Sequence, residues 1–429
     1  MKIAVIGAGV RAPLLANGLV RSDLPIDEIA LFDTDPERLA VIARLAASYA
    51  PCVRAYGDPE PCVEGSAFVF LSIRAGGISA RARDEAVAIA RGAIGQETVG
   101  PAGFAMAMRN IPAAAEYARL VARVAPEAWI VNFTNPVGII TQAMWAAGGG
   151  RVIGICDTPT ELFEEVARAL AIPSSRCFFD YFGLNHLGWL REVYSDGVPQ
   201  LARFWGDPAR LARVYRAPLF DPAALASLRM LPTEYVFFYE RTREALANLA
   251  AAGTTRGAAI AELTAHLFHD LASAGAEARA VYEAYLHARS AGYMQLESGA
   301  SQPLVPSPSA ELTGYDKIAL AVVRAIHGNT NAIIPLDVPN RGAIRDLADT
   351  DVVEVPCVVN ANGARPLVVG RLPEAVRDLV VRIKEYERFT IGAALAPSMD
   401  AAVRALAHNP LVGTHALARR LVDGLQPLW

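Results

Sequence analysis

The segment over residues 2–20 constrains the fold more than any other part of the chain. It opens with a largely apolar run, Lys2–Ile6, which passes directly into a glycine-rich turn, Gly7-x-Gly9-x-x-Ala12. A helical pattern over Pro13–Val20 follows the turn. Glycines between a strand and a helix permit a tight turn and a close approach of the backbone to a neighbouring group. The segment therefore predicts the first βαβ unit of an α/β fold.

Further runs of strand length alternate with helical segments as far as residue 158. We predict these strands at Glu28–Phe32, Ala67–Ser72, Trp129–Phe133 and Arg151–Cys156. Alternation of this kind is typical of a parallel sheet that carries helices on both faces. Residues 1–158 are therefore predicted to form an N-terminal Rossmann domain with a parallel sheet.

A different pattern follows over residues 159–429. The predicted strands there are Cys177–Phe182, Gly188–Ser195, Ala332–Val338, Val352–Val359 and Pro366–Val369. The predicted helices are Gly257–His287, Gly314–His327, Pro373–Leu395 and Met399–Leu425. Short antiparallel strands mixed with long amphipathic helices indicate an α+β domain, which we expect to bind the substrate.

Composition and charge exclude several classes of function. The net charge is −4 and no dense run of Lys and Arg is present, so we expect no nucleic-acid partner. No stretch approaches the roughly 20 uncharged apolar residues that a bilayer-spanning helix needs, and the N-terminus lacks the pattern of a signal peptide. Five scattered cysteines do not resemble a disulfide framework. We therefore expect a cytoplasmic protein with no membrane partner.

The glycine turn and the end of the second strand together indicate a dinucleotide site. Pyrophosphate binds at the N-terminus of the helix that follows such a turn, so the turn residues are candidate cofactor contacts. These residues are Gly7, Gly9, Val10 and Arg11. Asp33 ends the second strand, where a carboxylate accepts hydrogen bonds from the adenosine ribose of NAD. That position favours NAD over NADP, although Arg11 leaves NADP open.

A polar segment, Asn132-Phe133-Thr134-Asn135-Pro136, begins where the strand at Trp129–Phe133 ends. Ligands of open α/β sheets bind beyond the carboxyl ends of the strands. The side-chain amide of Asn132 is therefore a candidate cofactor contact, and that of Asn135 is a candidate contact for a sugar hydroxyl. Asn135 also suits the cap of a helix that Pro136 begins, and the two roles are compatible.

Cys156 and His186 are candidate metal ligands. A thiolate and an imidazole suit a transition metal, and two protein ligands leave coordination positions open for a substrate. On residue type alone, the alternative is a buried thiol and a hydrogen-bonded histidine. Arg81 is equally suited to grip an anion or to lie on a solvated helix face. The aromatic run Tyr235–Tyr239 is typical of core packing.

Taken together, these segments resemble glycoside hydrolase family 4, the NAD- and metal-dependent glycosidases. The matching segments occur in the family's order and are Ser72-Ile73-Arg74-Ala75-Gly76-Gly77, Gly95-Gln96-Glu97-Thr98, Asn132-Phe133-Thr134-Asn135-Pro136, Cys156-Asp157-Thr158-Pro159, Gly183-Leu184-Asn185-His186-Leu187-Gly188-Trp189 and Val338-Pro339-Asn340-Arg341-Gly342-Ala343-Ile344. The resemblance covers nearly the whole chain and is greatest for the 6-phospho-β-glucosidases. It implies a lactate/malate dehydrogenase-like architecture, NAD and Mn²⁺ (or another divalent metal) as cofactors, and a homodimer or homotetramer assembled through the C-terminal domain.

The resemblance also implies roles for residues at the chemical step. Cys156 and His186 would ligate Mn²⁺, and Tyr235 would act as the catalytic base. Tyr235 lies in a run without the arginine that the family usually has there, so Tyr239 remains an alternative base. Asp157 follows the metal cysteine, where an acid resembles the members that cleave α linkages and would protonate the leaving group. Members that cleave β linkages often carry asparagine at that position.

Four further residues match substrate-contacting positions of the family. Arg81 and Arg256 match positions that contact the substrate or its 6-phosphate. Asn135 matches a position that contacts the sugar, and Glu97 matches an acid of the active site.

The implied reaction is hydrolysis of a 6-phospho-β-glucoside through a borrowed hydride. NAD⁺ takes hydride from C3 of the sugar, the metal polarises the ketone, and the base removes the C2 proton so that the C1 leaving group is eliminated. Water then adds, and NADH returns the hydride. The alternatives are a family 4 enzyme for α linkages or unphosphorylated sugars, a metal-free dehydrogenase of the lactate/malate type, and a non-catalytic NAD-sensing regulator.

Overall fold

One mixed sheet organises the molecule. The computed structural model describes residues 1–215, 219–299 and 314–429, and nine of its strands form this sheet. In chain order, all the strands of the described residues, including those outside this sheet, are β1 Lys2–Ile6, β2 Glu28–Phe32, β3 Val53–Ala55, β4 Ser66–Leu71, β5 Trp129–Asn132, β6 Val152–Gly154, β7 Cys177–Leu184, β8 Leu187–Ser195, β9 Val198–Pro199, β10 Leu231–Pro232, β11 Ala332–Pro339, β12 Val352–Asn360 and β13 Gly363–Pro366.

Six parallel strands form the N-terminal part of the sheet, in the order β3-β2-β1-β4-β5-β6. This is the strand order of the Rossmann fold, and the predicted parallel sheet is confirmed. β1 is buried from Ile3 to Ile6, as expected of a strand that helices cover on both faces. The strand order reverses between β1 and β4, so the ligand-binding loops of the fold meet there.

Helices cover both faces of the sheet and build most of the C-terminal half. They are α1 Ala12–Val20, α2 Pro36–Tyr49, α3 Pro59–Val63, α4 Gly77–Ala90, α5 Gly100–Val124, α6 Val137–Ala146, α7 Thr158–Leu170, α8 Ala202–Trp205, α9 Pro208–Leu211, α10 Pro222–Leu228, α11 Phe237–Glu240, α12 Thr242–Ala251, α13 Arg256–Ser273, α14 Ala278–Ala291, α15 Gln295–Ser298, α16 Gly314–His327, α17 Glu374–Leu395, α18 Met399–His408 and α19 His415–Leu425. Within the described ranges, none of them combines the length and the apolar character that a bilayer crossing requires.

The C-terminal strands extend the Rossmann sheet. β11 runs antiparallel to β6 through the pair Asp337 and Gly154, and β12 and β13 continue the sheet outward. A β-carbon at Gly154 would lie 2.4 Å from the Thr141 hydroxyl oxygen and 2.8 Å from the Asp337 β-carbon, so the junction is closely packed. One sheet therefore runs through both halves of the chain. The division between residues 158 and 159 stays a prediction.

A smaller antiparallel sheet lies in the C-terminal half. β7 and β8 form its hairpin, and β9 and β10 both pair with β8. The two strands predicted for this hairpin are confirmed. Its loop consists of Asn185 and His186, and His186 has a φ of 62°. Histidine tolerates this left-handed backbone better than a β-branched residue does, so the hairpin presents His186 at its tip.

Three predicted elements differ from the structure. Gly257–His287 is two helices, α13 and α14, because a glycine between them takes a φ of 49°. Met399–Leu425 is also two helices, α18 and α19, because a proline follows α18 closely. The strand predicted at Pro366–Val369 lies three residues earlier, at Gly363–Pro366, since a tight turn after β12 pairs Gly363 with Asn360.

A buried lysine fastens α17 to the sheet. Lys384 is fully buried and donates hydrogen bonds to the Val352 carbonyl oxygen at 2.6 Å and to the Gln142 side-chain oxygen at 3.1 Å. It also forms an ion pair with Glu387. A buried charge is stable only when it is paired, and loss of one partner leaves the other uncompensated.

Lys384→Met is expected to lower the free energy of unfolding by about 3 kcal/mol, because Glu387 would remain buried without its cation. Urea unfolding followed by circular dichroism measures the change. Glu385→Gln is the control, because it removes an exposed carboxylate next to Lys384 and should stay within about 0.5 kcal/mol of the parent. Equal losses in the two variants would contradict the role given to the buried pair.

Candidate active site

Two cavities adjoin at the carboxyl edge of the parallel strands. The first, the glycine cavity, has a volume of about 540 Å³, and the second, the arginine cavity, has a volume of about 1010 Å³. The residues of their shared wall are Val10, Arg11, Glu97, Asn135, Ile260, Arg289 and Asp316. A ligand in one cavity is therefore adjacent to a ligand in the other.

The glycine cavity is built around the turn that follows β1. Gly7 has a φ of 82°, and a β-carbon there would lie 2.4 Å from the carbonyl oxygen of Ser72, which follows β4. Only glycine permits this approach. Gly9 instead faces open space, because a β-carbon there would meet no described atom within 4 Å. The bare backbone at Gly9 therefore leaves room for a ligand at the N-terminus of α1.

Most of the predicted cofactor contacts lie in the wall of this cavity. They are Gly7, Gly9, Val10, Arg11 and Asp33. Asp33 directly follows β2, and its Oδ1 atom accepts a hydrogen bond from the backbone N–H of Asp35 at 3.0 Å. This bond fixes the carboxylate at the edge of the sheet, where a ribose-binding acid is expected.

Asn132 differs from the other predicted cofactor contacts. Its side chain is fully buried and lines neither of the two cavities. Its amide donates to the Thr141 hydroxyl at 3.0 Å, and its Oδ1 atom accepts from the backbone N–H of Thr134 at 2.9 Å. Asn132 thus shapes the loop that carries Asn135.

The arginine cavity gathers predicted residues that are far apart in sequence. They are Arg81, Glu97, Asn135, Asp157, His186, Tyr235 and Arg256. Cys156 is 2% exposed and does not line the cavity itself. The fold therefore brings the residues predicted to contact the substrate into the same cavity as the predicted catalytic residues and His186.

The rings of His186 and Tyr235 stack in the cavity wall, with centroids 3.9 Å apart and planes inclined by 6°. The Nδ1 atom of His186 lies 2.8 Å from the hydroxyl oxygen of Thr98. Burial lowers the pKa of His186 to about 3, so its imidazole is neutral and retains a lone pair. Burial also raises the pKa of the Tyr235 phenol.

Cys156 lies two residues beyond β6 and interacts electrostatically with the same tyrosine, Tyr235. Burial, and then the neighbouring Glu354 and Asp157 carboxyls, raise the pKa of its thiol. A thiolate at this position therefore needs a compensating cation. A metal ion supplies that charge when it binds.

The donor set fits a transition metal with open coordination positions. It combines the sulfur of Cys156 with the neutral imidazole of His186. The buried Oδ1 atom of Asn135 has no hydrogen-bond partner among the described residues. In the described part of the chain, no group of three His, Cys, Asp or Glu side chains is arranged to hold a metal. A metal held here would therefore need ligand oxygens to complete its shell.

Arg81 is engaged by two carboxylates of the protein. Its Nε atom donates to Glu85 at 2.7 Å, and its Nη1 atom pairs with Glu97. Glu97 also pairs with Arg74 at 2.5 Å. Burial opposes ionisation of Glu97, but the two guanidiniums hold the pKa of that carboxyl well below its usual range. Arg81 and Glu97 thus belong to a charge-balanced network in the cavity wall.

Arg289, which no sequence pattern singled out, lies beside Arg256. Burial and the Arg289 cation lower the pKa of Arg256. Arg256 donates to the backbone carbonyl oxygen of Arg289, and Arg289 donates to the Tyr285 hydroxyl at 3.1 Å. Neither guanidinium forms an ion pair with a carboxylate in the described ranges. Two such cations suit an anionic group of a ligand.

The sequence of α14 contains a signal that locates Arg289. Tyr282, Tyr285 and Arg289 recur at spacings of three and four residues, and all three line the arginine cavity. Residues at this spacing share one face of a helix. A face that carries two tyrosines and an arginine indicates a binding surface.

Three carboxyl groups that line the arginine cavity, Asp157, Glu234 and Glu297, have raised pKa values. Burial raises the pKa of Asp157 to about 7, although the Arg11 cation opposes the shift. Burial also raises the pKa of Glu234, which no sequence pattern singled out. Glu234 accepts hydrogen bonds from the Tyr293 hydroxyl at 2.8 Å and from the Thr158 hydroxyl at 3.2 Å. Burial therefore favours the protonated form of these acid groups.

Tyr239, the alternative base, lines neither of the two cavities. Burial, and then the α17 residues Tyr386 and Glu387, raise the pKa of its phenol. Tyr235 precedes it on the short turn Glu234–Val236 and does line the arginine cavity. The geometry thus distinguishes the two tyrosines.

Family models match nearly the whole chain. The model described as family 4 glycosyl hydrolase matches residues 2–172, and the family 4 glycosyl hydrolase C-terminal domain matches residues 181–412. The chain belongs to glycosyl hydrolase family 4. It is therefore a glycosidase, and the resemblance seen in the sequence segments is confirmed.

Some relatives of similar sequence are named for β-linked substrates and others for α-linked substrates. The chain is 31% identical over 443 residues to a probable 6-phospho-beta-glucosidase of Bacillus subtilis, with 99% of this chain and 95% of that protein covered. It is 26% identical over 463 residues to a phospho-alpha-glucosidase of Clostridium acetobutylicum, with 99% of this chain and 96% of that protein covered.

Solved structures share the fold over the full length. The 6-phospho-beta glucosidase from Thermotoga maritima, determined with manganese, NAD⁺ and glucose-6-phosphate, is 25% identical and has a TM-score of 0.82. That likeness covers 100% of this chain and 98% of the other. A lactate dehydrogenase from a deep-sea metagenome library has a TM-score of 0.54 at 15% identity, with 92% and 98% covered. The second likeness concerns the fold alone, and the predicted dehydrogenase-like architecture is confirmed.

Proposed function

We propose that this family 4 enzyme hydrolyses 6-phospho-β-glucosides, with NAD⁺ and Mn²⁺ or another divalent metal as cofactors. The observation that carries the proposal is the shared wall of the two cavities. It joins a cavity suited to a dinucleotide to one that contains the neutral imidazole of His186, the phenol of Tyr235 and the guanidiniums of Arg256 and Arg289. The Thermotoga maritima relative, determined with manganese, NAD⁺ and glucose-6-phosphate, supports the same set of ligands.

The glycine cavity supports NAD⁺ as the dinucleotide. The backbone at Gly7 and Gly9 can approach a pyrophosphate, and Asp33 can accept hydrogen bonds from an adenosine ribose. When bound, NAD⁺ supplies a hydride acceptor for C3 of the sugar and later returns the hydride, so that the overall reaction is hydrolysis. Asn132 supports this site by shaping the adjoining loop.

Cys156 and His186 are the proposed metal ligands, and the unpartnered Oδ1 atom of Asn135 is a donor toward the metal or the sugar. When bound, the metal supplies a Lewis acid that polarises the C3 carbonyl of the oxidised sugar and acidifies the neighbouring C2 proton. The protein contributes a soft sulfur donor and a neutral nitrogen donor. These two donors fit a metal site with open coordination positions, but they do not select Mn²⁺ over other divalent metals.

Tyr235 is the proposed base that removes the C2 proton. It lies in the cavity against the ring of His186. Burial and the carboxylates of Glu234 and Glu97 raise the pKa of its phenol. Arg81 interacts electrostatically with the phenol, and its positive charge opposes that effect and favours the phenolate that proton removal requires. Arg81, held by Glu85 and Glu97, would thus act on the base rather than on the phosphate.

Arg256 and Arg289 are proposed to bind the 6-phosphate. Their guanidiniums lie together in the arginine cavity without carboxylate partners among the described residues. Planar arginine donors match phosphate oxygens and are well suited to a dianion. The pair supports a phosphorylated substrate more strongly than Arg81 does.

The β linkage rests on the greater identity to the β-named relative, 31% against 26% for the α-named one. An α linkage is the second candidate, and Asp157 is the observation that favours it. Its carboxyl lines the arginine cavity next to Cys156 in sequence, where an acid can protonate a leaving group.

Chromogenic glucosides that cross α with β linkage, and 6-phosphorylated with unphosphorylated sugars, test the proposed function. Aglycone release is expected from the 6-phospho-β-glucoside only with both NAD⁺ and Mn²⁺ present, and without accumulation of NADH. A chelator is expected to abolish release and added Mn²⁺ to restore it, because the C2 proton is too weakly acidic without a Lewis acid. The absorbances of aglycone and NADH are recorded together.

Stoichiometric NADH from a hydroxy acid, without aglycone release, would favour a dehydrogenase instead. Aglycone release from the α-linked substrate alone would show that the enzyme cleaves α linkages and not β linkages. Equal turnover of the unphosphorylated sugar would remove the requirement for a 6-phosphate.

Arg289→Gln and Arg256→Gln are each expected to raise KM for the 6-phospho substrate roughly 10- to 100-fold, because a charge-assisted bond to phosphate is lost. Steady-state kinetics with phosphorylated and unphosphorylated substrates measure the effect. The control is Arg168→Gln, because Arg168 also lines the cavity but is exposed and pairs with Glu165. An unchanged KM in both test variants would refute the phosphate assignment.

Asp157→Asn is expected to lower kcat for a glucoside with an alkyl leaving group by roughly 100-fold, because an alkoxide needs protonation to depart. A nitrophenyl glucoside should be little affected, since nitrophenolate leaves without a proton. Comparison of kcat for the two aglycones measures the difference, and the bound metal content serves as the control. Equal losses for both aglycones would assign Asp157 to metal binding or folding instead.

A further inference from the structure

We propose that Gln96 and Thr98 are positioning residues that hold His186 in the tautomer protonated at Nδ1 and leave Nε2 with a free lone pair. This role rests on the proposed function, because it concerns the imidazole proposed to bind the metal. Both residues belong to the segment Gly95–Thr98, in which only Glu97 has had a role so far.

The orientation of the Gln96 side-chain amide is fixed by the backbone around it. Its Oε1 atom accepts hydrogen bonds from the N–H groups of Thr98 at 2.7 Å and Val99 at 3.0 Å. The reversed amide would direct its NH₂ group at these two donors, so the oxygen has to occupy this position. Gln96 therefore presents an acceptor to the Thr98 hydroxyl.

The Thr98 hydroxyl has one proton and two hydrogen-bond neighbours. Its oxygen lies 3.0 Å from Gln96 Oε1 and 2.8 Å from His186 Nδ1. Because Gln96 Oε1 carries no proton, the hydroxyl donates to it and accepts from the Nδ1–H group of His186. A neutral imidazole has only one N–H proton, so the direction of this hydrogen-bond chain leaves Nε2 unprotonated.

Close packing keeps the hydrogen-bond chain in place. A β-carbon at Gly103 on α5 would lie 2.4 Å from the carbonyl carbon of Thr98, so the helix contacts the loop backbone directly. The ring of His186 also stacks on Tyr235 with a centroid distance of 3.9 Å, which fixes the imidazole plane. A ligand histidine oriented through its second nitrogen binds metal more tightly, and loss of that partner typically costs roughly 10- to 100-fold in affinity.

Nitrogen NMR of the metal-free protein reads the tautomer directly. In protein labelled at the histidine nitrogens, a long-range proton–nitrogen spectrum distinguishes protonated Nδ1 from protonated Nε2, and a His186→Asn sample assigns the signals. We expect protonated Nδ1 in the wild type and a shift toward protonated Nε2 in Thr98→Val, because Nδ1–H then has no acceptor. Protonated Nε2 in the wild type, or an unchanged tautomer in Thr98→Val, overturns the proposal.

Metal affinity provides a second readout that does not depend on catalysis. Mn²⁺ alone is titrated into each metal-free protein, and the free ion is followed by electron paramagnetic resonance. Thr98→Val and Gln96→Leu are expected to weaken Kd roughly tenfold or more, and Thr98→Ser is expected to retain wild-type affinity. Thr390→Val is the control, because it removes a fully buried hydroxyl on α17 and should change neither readout.

The metal site and the tautomer are tested separately by these measurements. A wild-type protein with protonated Nδ1 that binds no Mn²⁺ contradicts the proposed metal site and leaves the tautomer assignment intact. Wild-type Mn²⁺ affinity in Thr98→Val, with an unchanged thermal unfolding midpoint, overturns the positioning role.

Discussion

Backbone pairing among the parallel strands is the interaction on which the rest of this structure depends. It aligns the carboxyl ends of β1, β4, β5 and β6, so the loops after these strands meet at one edge of the sheet. Gly7, Asn135 and Cys156 reach the site through this alignment alone. The C-terminal half adds His186 at the tip of a hairpin and Tyr235 on a short turn. The site is thus completed by two halves that share a sheet.

The arginine cavity contains three kinds of electrostatic environment. Arg81 lies between two carboxylates, so its charge is balanced within the protein. His186 and Tyr235 are neutral because burial disfavours their charged forms. Arg256 and Arg289 form no ion pair with a carboxylate in the described ranges, so their charge is less fully balanced than that of Arg81. Electrostatic interactions are stronger in a buried site than in water, so neighbouring residues of one cavity can differ strongly in charge.

Sequence patterns predicted those features that local residue order determines. Buried parallel strands are apolar runs in the sequence, and the left-handed backbone of the turn at Gly7 favours glycine, so the Rossmann half was predictable. Cys156 and His186 were found from residue type and family resemblance. Arg289 and Glu234 were not found, because their importance comes from neighbours on distant elements. The junction of β11 with β6 was also missed, since strand pairing between distant segments leaves no local pattern.

The pairing of β11 with β6 has a mechanical consequence. Two-domain enzymes often admit ligands by hinge rotation about linkers that few contacts cross. In this molecule a continuous sheet crosses from one half to the other through Asp337 and Gly154, so such a rotation would break backbone hydrogen bonds. The continuous sheet therefore favours ligand exchange through movements of helices and side chains at the cavity rim over a hinge rotation of the two halves. In the proposed reaction, the distance between cofactor and sugar would accordingly be set by this shared sheet and not by domain closure.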